Sequence, residues 1–427
     1  MHILAEDRLG YNLDRNEGVG RPMSALVSVT THRLALPSTL LDLLPDSSPL
    51  CWVRNGDGIV GYGRYASTVV SGAHRFSEAR SWWHEQLSRF AVTNAVHGSG
   101  TGPILFTSFS FDEKEESHLV IPKVVIGKRG EKQWITWIGE DPQPSLSLHP
   151  YPENQGFTWS AGSLSEGEWK ERVAQAIEEI ATGEVEKVVL ARDLIARSQA
   201  DIDPRPILKR LAHDYPATWV FSVAGLIGAT PELLLRLTRG MVTSRVLAGT
   251  ISKTGDDQKD LALAASLARS SKDLEEHEYA VRSVAEALEQ FCTSTNVPES
   301  PFVLHLANVM HLATDVTGAL IESMKEIDVF SLLERLHPSA AVCGTPTERA
   351  RTLITKIEAM KRGRYAGPVG WIDASGDGEL GIALRSGEIS GSQIRIFAGC
   401  GIVAGSNPDK ELAESTAKFA AMKSALE

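Results

Sequence analysis

Runs of alternating or β-branched apolar residues recur along the chain at strand length, and they predict extensive β-structure. The first runs flank the turn Asn55-Gly56-Asp57-Gly58, which predicts two strands within residues 50–67. Further strands are predicted over 102–111, 118–138 (a hairpin turning near Gly130), 185–197, 218–230, 233–238, 241–250, 367–373, 379–389 and 393–403. Because short turns join the C-terminal runs, we expect antiparallel pairing there.

Other stretches have the period of helices. Ser165 and Glu168 have the spacing of a capping box at the start of one of them. A long helical region is predicted over 258–291, and a last helix begins at Pro408 after the N-cap Asn407. Because helices alternate with strands without a strict βαβ rhythm, the predicted fold class is α+β, with large sheets covered by helices.

The composition, 42% hydrophobic and 23% charged residues, is that of an ordinary globular protein. The formal net charge of −11 argues against non-specific binding to nucleic acid or to an anionic membrane. The sequence shows no apolar run of about 18 residues and no signal-peptide core. We therefore expect no nucleic-acid or membrane partner, a flexible tail over residues 1–21, and a single domain over residues 22–427.

The four cysteines, Cys51, Cys292, Cys343 and Cys400, are scattered, and no pair has the CxxC spacing of a zinc or redox site. Scattered cysteines in a chain of this length are typical of a reducing compartment, which predicts a cytoplasmic location. The sequence contains no obvious coiled coil or partner helix, so we predict a monomer.

The last predicted helix places Glu411, Glu414 and Lys418 on one face, because they fall at positions i, i+3 and i+7. Two carboxylates one turn apart suit a hard cation such as Mg²⁺. A solvated charged face is the alternative, and this helix alone favours that alternative. Asp273, Glu276 and His277 share a face of the 258–291 region in the same way, where a charged exterior is again the alternative. His277 by itself is typical of a surface residue or a satisfied polar partner.

Two residues suggest acid–base chemistry. By strand alternation, Lys187 lies on the same face as Val185 and Val189, where a charge is costly to bury. Either its stem reaches to the sheet edge, which this residue alone favours, or the amine is desolvated and acts as a base. Glu232 follows Pro231 at a strand start, as an ordinary turn residue or as a carboxylic acid kept protonated for proton donation. Arg385, placed late in a predicted strand, suits a bidentate carboxylate contact.

The order of these stretches along the chain resembles the family of chorismate-using enzymes, which includes isochorismate, salicylate, anthranilate and aminodeoxychorismate synthases. The similarity covers about residues 183–419, within a motif-bearing core of 160–425. The stretches that carry it are KVVLAR (187–192), GATPELLLR (228–236), LAGT (247–250), KDLEEHEYAV (272–281), LHPSAAVCGTP (336–346), GRYAGPVGW (363–371), GELGIALRS (378–386) and AGCGIVAGSNPDKELAESTAKF (398–419). Eight motifs in family order are far more specific than any one of them.

The resemblance implies stacked antiparallel sheets with helices outside, chorismate as the substrate and a Mg²⁺ ion held by carboxylates. The carboxylates that match are Glu276, Glu411 and Glu414, with Asp273 as a weaker candidate. The residues that match substrate contacts are Arg385 and Lys418 at a carboxylate, His337 near the ring, and Gly249, Thr250, Ala341, Tyr365, Gly399 and Gly401 elsewhere in the pocket.

The resemblance also implies a reaction. Members that add water carry the lysine of KVVLAR, and aminating members lack it, so Lys187 resembles the base that activates water for attack at C2. Glu232 resembles the acid that protonates the departing C4 hydroxyl, and Ala341 stands where aminating relatives often have threonine. This implies an isochorismate synthase. The alternatives are a salicylate synthase, which goes on to eliminate pyruvate, and a non-catalytic relative, which is expected to have lost one of these groups.

Overall fold

The computed structural model describes residues 26–140, 142–148, 150–151, 156–324 and 327–427. The flexible tail predicted over residues 1–21 lies outside this part of the chain. Within the described residues, no helix is both long enough and apolar enough to cross a membrane. The described strands form one hydrogen-bonded network, in which every pairing is antiparallel except the parallel pair of residues 27–31 with 90–94. Together with the helices listed below, this confirms the predicted α+β class.

The N-terminal part of the described chain forms mainly strands. It also contains a short 3-10 helix, Leu40–Leu43. Its strands and single α-helix are β1 (Val27–Arg33), β2 (Leu50–Arg54), β3 (Asp57–Val70), α1 (Arg75–Leu87), β4 (Phe90–Asn94), β5 (Ile104–Ser108), β6 (Ser117–Arg129) and β7 (Lys132–Ile138). The hairpins predicted at Asn55-Gly56 and near Gly130 are confirmed as β2–β3 and β6–β7.

The remaining elements alternate between helices and strands. The strands are β8 (Thr158–Ala161), β9 (Lys187–Arg197), β10 (Trp219–Val223), β11 (Leu226–Thr230), β12 (Leu233–Thr238), β13 (Met241–Ser252), β14 (Cys292–Asn296), β15 (Phe302–His305), β16 (Val309–Leu320), β17 (Gly344–Thr345), β18 (Pro368–Asp373), β19 (Gly378–Ile382), β20 (Ser386–Ser390) and β21 (Gln393–Ile402). The helices are α2 (Glu166–Ala181), α3 (Pro204–Asp214), α4 (Asp257–Leu267), α5 (Ser271–Glu289), α6 (Val329–Leu336), α7 (Thr347–Ile357) and α8 (Pro408–Leu426).

Helix starts predicted from capping residues are confirmed. The Ser165 hydroxyl accepts a hydrogen bond from the Glu168 backbone N–H, and the Glu168 carboxylate accepts one from the Ser165 backbone N–H. Asn407 accepts hydrogen bonds from two backbone N–H groups of the first turn of α8. Both residues satisfy donors that the helix itself leaves without partners, which fixes where each helix begins.

Three predicted elements are divided in the structure. The strand predicted over 218–230 forms two strands, β10 and β11, which pair antiparallel across a turn at residues 224–225. The helical region over 258–291 splits into α4 and α5, because Ser270 accepts a hydrogen bond from the Asp273 backbone N–H and starts a new helix. The strand predicted over 379–389 is interrupted between β19 and β20. Arg385 lies in this break with a positive φ of 48°, so the prediction that it sits within a strand was wrong. The left-handed conformation breaks the strand alternation at this residue.

The pairings that position the candidate site lie in the C-terminal part. Strand β9 pairs with β21 along ten residues, and β13 pairs with β16. Helix α5 packs on β13 and β16, and α8 packs on β21. The N-terminal strands join this network through β5, which pairs with β18, and through β2, which pairs with β10.

Candidate active site

A pocket opens where β9, β13, β21, α5 and α8 meet, with an empty volume of about 690 Å³ that includes some open solvent. Every residue that lines it lies between Val189 and Lys418. The structure brings to this pocket the predicted residues Glu232, Gly249, Thr250, Glu276, Ala341, Tyr365, Arg385, Gly399, Gly401 and Lys418. Residues far apart in sequence therefore converge as the motif order implied.

Lys187, the first residue of β9, lies directly behind the pocket wall. Its side chain is fully buried, with 0% exposure, so the interpretation that its stem reaches to the sheet edge was wrong. The Lys187 Nζ lies 3.2 Å from Glu276 Oε1 but has no hydrogen-bond partner in the structure. Gly401 permits this arrangement, because a Cβ there would lie 2.1 Å from Glu276 Oε1 and 3.0 Å from Lys187 Cε.

Glu232 lies between β11 and β12, and its side chain is buried in the pocket wall. Its backbone N–H donates to the Thr230 hydroxyl, which fixes the turn. Burial raises the pKa of Glu232 to about 8, although the Leu247 backbone N–H and the nearby cations Lys187, Lys418 and Arg385 act in the opposite direction. At neutral pH the carboxyl group is therefore mostly protonated and can donate a proton.

Arg385 is held by a short hydrogen-bonded chain. Its Nη2 donates to His311 Nε2 at 2.7 Å, and His311 Nδ1 lies 3.0 Å from the Thr250 hydroxyl. Burial, followed by the charges of Arg385 and Lys418, lowers the pKa of His311 well below its usual range. A neutral imidazole that accepts a hydrogen bond at Nε2 carries its hydrogen on Nδ1. The Nδ1–H of His311 can therefore donate to the Thr250 hydroxyl, which orients the ring. The oriented ring in turn fixes Arg385 through Nε2.

His311 was missed by the sequence analysis. It lies on β16, directly opposite Thr250 on β13. Its signal was a polar imidazole inside the otherwise apolar run VMHLA, residues 309–313. A histidine within an apolar strand has to find partners in the interior, because an unpaired buried polar group is costly.

Of the three carboxylates predicted to bind a cation, Glu411 and Glu414 lie close together, and Glu276 is not part of their group. A sulfur atom of Cys400 and carboxylate oxygens of Glu411 and Glu414 lie within 4.8 Å of one another. Lys272 donates to Glu411 at 3.0 Å, and Lys418 forms an ion pair with Glu414 at 2.7 Å. The solvated-face interpretation of α8 was wrong for Glu411, whose exposure is only 1%.

The electrostatics of this cluster favour a cation. Burial raises the pKa of Glu411, and the charge of Glu414 raises it further. Burial lowers the pKa of Lys272, but Glu411, Glu276 and Glu414 together raise it above its usual value. All three carboxylates therefore act on one ammonium group. Carboxylate oxygens fit a divalent cation such as Mg²⁺ as ligands. The sulfur of Cys400 is a poor ligand for a hard cation, and its thiol instead donates a hydrogen bond to the Glu411 carbonyl.

Lys418, Tyr365 and Gly399 also line the pocket. The Lys418 ammonium donates to the Gly399 carbonyl at 2.9 Å, in addition to its ion pair with Glu414. Tyr365 stacks on Phe397 with ring centroids 5.0 Å apart. A Cβ at Gly399 would lie 3.1 Å from the Tyr365 hydroxyl, so glycine allows the tyrosine to approach the strand. Arg385 and Lys418 together give the pocket a cationic wall.

Asp273 and His277 do not line the pocket. Asp273 packs against the backbone of Gly249. A Cβ at Gly249 would lie only 3.0 Å from the Asp273 Cβ, and the positive φ of 76° at Gly249 also favours glycine there. His277 is buried rather than on the helix surface, and its Nε2 lies 2.8 Å from the Thr314 hydroxyl. The interpretation of His277 as a satisfied polar partner fits these contacts, and burial lowers its pKa to about 4.

His337 was wrongly predicted to lie near the substrate ring. It lines a separate cavity, where its Nε2 donates to the Phe111 carbonyl at 3.3 Å. Ala341 and Val342 reach the candidate pocket instead. Because the chain between His337 and Ala341 passes from one cavity to the other, two residues of one motif face different sites.

Comparison with known proteins agrees with this geometry. A family model described as chorismate binding enzyme matches residues 47–139 and 144–427. Isochorismate synthase MenF of Bacillus subtilis is 33% identical over 407 residues, covering 86% of this chain and 85% of that protein. Isochorismate synthase EntC of Escherichia coli is 30% identical, covering 75% of this chain and 80% of that protein.

The fold is also similar to a solved structure. The crystal structure of DhbC from Bacillus anthracis superposes with a TM-score of 0.76 at 31% sequence identity, covering 91% of this chain and 98% of that chain. Over most of its length, then, the chain is similar in sequence to these proteins and in fold to the solved structure. The chain belongs to the chorismate-binding enzyme family.

Proposed function

We propose that this protein is an isochorismate synthase, which converts chorismate to isochorismate by adding water at C2 and losing the C4 hydroxyl. Relatives named as isochorismate synthases that are 30% or more identical cover most of the chain, which supports the reaction. The single observation that carries the proposal is a buried amine without a hydrogen-bond partner, Lys187, in the same site as a carboxyl group that stays protonated, Glu232.

In the proposed reaction Lys187 is the general base. Its Nζ makes no hydrogen bond and lies 3.2 Å from Glu276 Oε1, and in its neutral form it would accept a proton from a water molecule whose oxygen forms the new bond to C2. The ring double bonds then shift, and the bond from C4 to its hydroxyl oxygen breaks. Glu232 would give its proton to that oxygen, so that one water is consumed and one is released. Burial of both groups keeps bulk water away from the reacting atoms.

The cationic wall would orient the substrate. Arg385 presents a guanidinium that is already fixed by His311, and Lys418 presents a half-buried ammonium group. Chorismate carries two carboxylates, and a planar guanidinium suits a bidentate contact with one of them. Because His311 and Thr250 hold Arg385 before the substrate arrives, little side-chain freedom is lost on binding.

Glu276, Glu411 and Glu414 would hold a Mg²⁺ ion. Their mutual repulsion and their contacts with Lys272, Lys187 and Lys418 indicate that this acidic cluster needs positive charge. A bound Mg²⁺ would supply charge neutralisation and a ligand position for a substrate carboxylate. The nearby Cys400 thiol does not change this assignment, because burial raises its pKa well above its usual value.

A cytoplasmic location is also part of the proposal. All four cysteines are free and buried, which is typical of proteins that work in a reducing compartment. A monomeric state stays a prediction.

The decisive experiment is product analysis by chromatography after the purified protein has been incubated with chorismate and Mg²⁺. We expect isochorismate without pyruvate. Salicylate with an equal amount of pyruvate would replace the proposal by a salicylate synthase. Chorismate that is bound but not converted would contradict both and indicate a non-catalytic relative.

A further inference from the structure

A second cavity lies on the other side of α5, between α1, α5, α6 and the start of α7. Its empty volume is about 1400 Å³, open solvent included, and it shares no lining residue with the catalytic pocket. The cavity is surrounded by charged side chains of both signs. These are Arg75, Arg282, Arg335, Arg351, Glu113, Glu286, Glu334 and Glu348. Most of these side chains face solvent or pair with one another. Two more deeply buried residues of the cavity, Arg75 and His337, each have a nitrogen without a hydrogen-bond partner.

Arg75 is the first of these groups. Its exposure is 4%, and its Nε has no hydrogen-bond partner. The side chain makes one long bond, from Nη1 to the Gly72 carbonyl at 3.4 Å, and its guanidinium lies 4.5 Å from the Phe76 ring centroid. Among the described residues no carboxylate forms an ion pair with it. The carboxylates of Glu113 and Glu334 act on its charge only from a distance. A buried guanidinium without a direct ion pair is costly, so this position favours an anionic ligand.

His337 is the second group. Its exposure is 7%, and Nε2 donates to the Phe111 carbonyl, whereas Nδ1 has no partner. Burial and then the charge of Arg75 lower the pKa of His337 to about 3, so the ring is neutral. A neutral imidazole with its hydrogen on Nε2 presents a bare lone pair at Nδ1. The cavity therefore offers a cationic donor and a neutral acceptor side by side.

We propose that this cavity is an effector site for a small carboxylic acid that also carries a hydroxyl group. The carboxylate would accept from Arg75, and the hydroxyl would donate to His337 Nδ1. Phe76, Tyr279 and Pro338 provide apolar surface for a ring or short carbon skeleton between the two polar ends.

The cavity is linked to the catalytic pocket by two shared elements. Helix α5 carries Glu276 in the pocket and Ser283 in the cavity, and the Ala340 backbone N–H donates to the Ser283 hydroxyl at 3.4 Å. The segment after α6 places His337 in the cavity and Ala341 in the pocket. Because a ligand that shifts either element also moves residues of the pocket, we expect occupancy to change kcat. This effector role rests on the proposed function, whereas binding does not.

Calorimetric titration of the full chain tests binding. The probes are 2-, 3- and 4-hydroxybenzoate, which differ in the distance between the carboxylate and the hydroxyl group. Benzoate, which lacks the hydroxyl, and phenol, which lacks the carboxylate, are the control compounds. We expect one hydroxybenzoate isomer to bind more tightly than either control compound. Arg75→Gln should weaken its binding about tenfold or more, as loss of a charge-assisted hydrogen bond would. His337→Gln, which can keep a donor near Nε2, should reduce the preference over benzoate about three- to tenfold.

Two further variants separate this site from the catalytic pocket and from misfolding. Arg385→Ala disables the pocket and should leave hydroxybenzoate binding unchanged. Arg282→Glu reverses an exposed charge at the cavity rim and should weaken binding in a protein that stays folded, even if Arg75→Gln unfolds, as judged by thermal unfolding. A hydroxybenzoate that binds competitively with chorismate, or only in proteins with Arg385, would overturn the proposal.

The remaining outcomes are equally decisive. If none of the three isomers binds the folded protein at millimolar concentration, the cavity holds water only and the proposal is wrong. Binding that leaves kcat unchanged at saturation would refute the effector role. If the protein does not convert chorismate, the titrations still decide whether the binding site exists.

Discussion

The N-terminal strands β1 to β7 and the C-terminal strands β8 to β21 belong to one hydrogen-bonded network, but they bury different kinds of polar residue. In the N-terminal part the hydroxyls of Thr31 and Thr136 pair with each other at 2.9 Å. In the C-terminal part Lys187, Glu232 and Arg385 are buried charged or titratable groups around a pocket. The N-terminal strands therefore bury neutral hydroxyls, some paired like these and some without a partner, such as those of Thr107 and Ser108 on β5. The C-terminal part buries ionisable groups beside a pocket that is open to a ligand.

This difference points to the C-terminal part of the chain as the place of the proposed chemistry. Desolvated titratable groups lower stability unless a ligand or partner compensates them, so they are typical of functional sites. No residue of β1 to β7 lines the catalytic pocket. These strands support it at a distance, through β5 on β18. Arg75 in α1 is the N-terminal exception, and it marks the second cavity rather than the first.

Removal of divalent cations should have the largest effect on turnover. A chelator is expected to abolish activity, and added Mg²⁺ should restore it, because three carboxylates would otherwise face a dianionic substrate. Binding should also raise the midpoint of thermal unfolding, since the ion binds only the folded state. Glu411→Gln is expected to lose this shift. Full activity in the chelated protein would contradict the metal assignment.

Substitution of the proposed base should have the next largest effect. Lys187→Met keeps most of the side-chain volume, and we expect kcat to fall about 100- to 10,000-fold as a general base is lost. Lys356→Met, on an exposed lysine of α7, is the matched control and should leave kcat unchanged. Steady-state kinetics on both proteins, with urea unfolding to confirm folding, make the comparison. Unchanged turnover in Lys187→Met would sink the base role.

The pH dependence of turnover should report Glu232. Because its pKa is about 8 and a general acid works only when protonated, kcat should decline as the pH rises through about 8. Glu232→Gln should be slower by about 100-fold or more and should lack this decline. A variant with the same alkaline decline as the wild type would assign the titration to another group.

The stability of the same pair of proteins provides an independent check. Between the ordinary pKa of 4.5 and about 8, the folded state keeps a proton that the unfolded state has lost. The unfolding free energy of the wild type should therefore fall with rising pH relative to Glu232→Gln across this range. Denaturant titrations at several pH values measure this difference. A constant difference would show that Glu232 ionises normally in the folded protein.

A core substitution in the N-terminal part should have the smallest effect on turnover. Phe106 is fully buried in β5, and Phe106→Ala should reduce the unfolding free energy by about 3–5 kcal/mol. Because β5 only supports the pocket, we expect kcat per folded molecule to stay within a few-fold of the wild type. Urea unfolding and kinetics below the transition measure both quantities. A loss of turnover comparable to that of Lys187→Met would break the contrast between the two parts.

Local rules explain what could be predicted. The capping residues Ser165 and Asn407 specify helix starts through contacts with backbone groups two or three residues away. Strand alternation placed Lys187 on an apolar face, and helical periodicity placed Glu411 and Glu414 together. The proposed metal ligands and the candidate acid and base were therefore accessible from motif order and periodicity.

The errors share a physical cause. His337 lies in a motif that passes between two cavities, so its position along the chain does not say which cavity it lines. His311 was overlooked because its importance depends on Arg385, 74 residues away. Arg385 itself adopts a left-handed backbone, which a strand pattern does not predict.

The sequence by itself determined the α+β class, the helix starts and the set of residues that could carry chemistry, because those follow from neighbours within one or two turns. The tertiary structure decided which of these residues meet and which of them lose their water. Burial raised the pKa of Glu232 and removed Lys187 from solvent. Burial depends on how distant elements pack, and a local pattern does not contain that information.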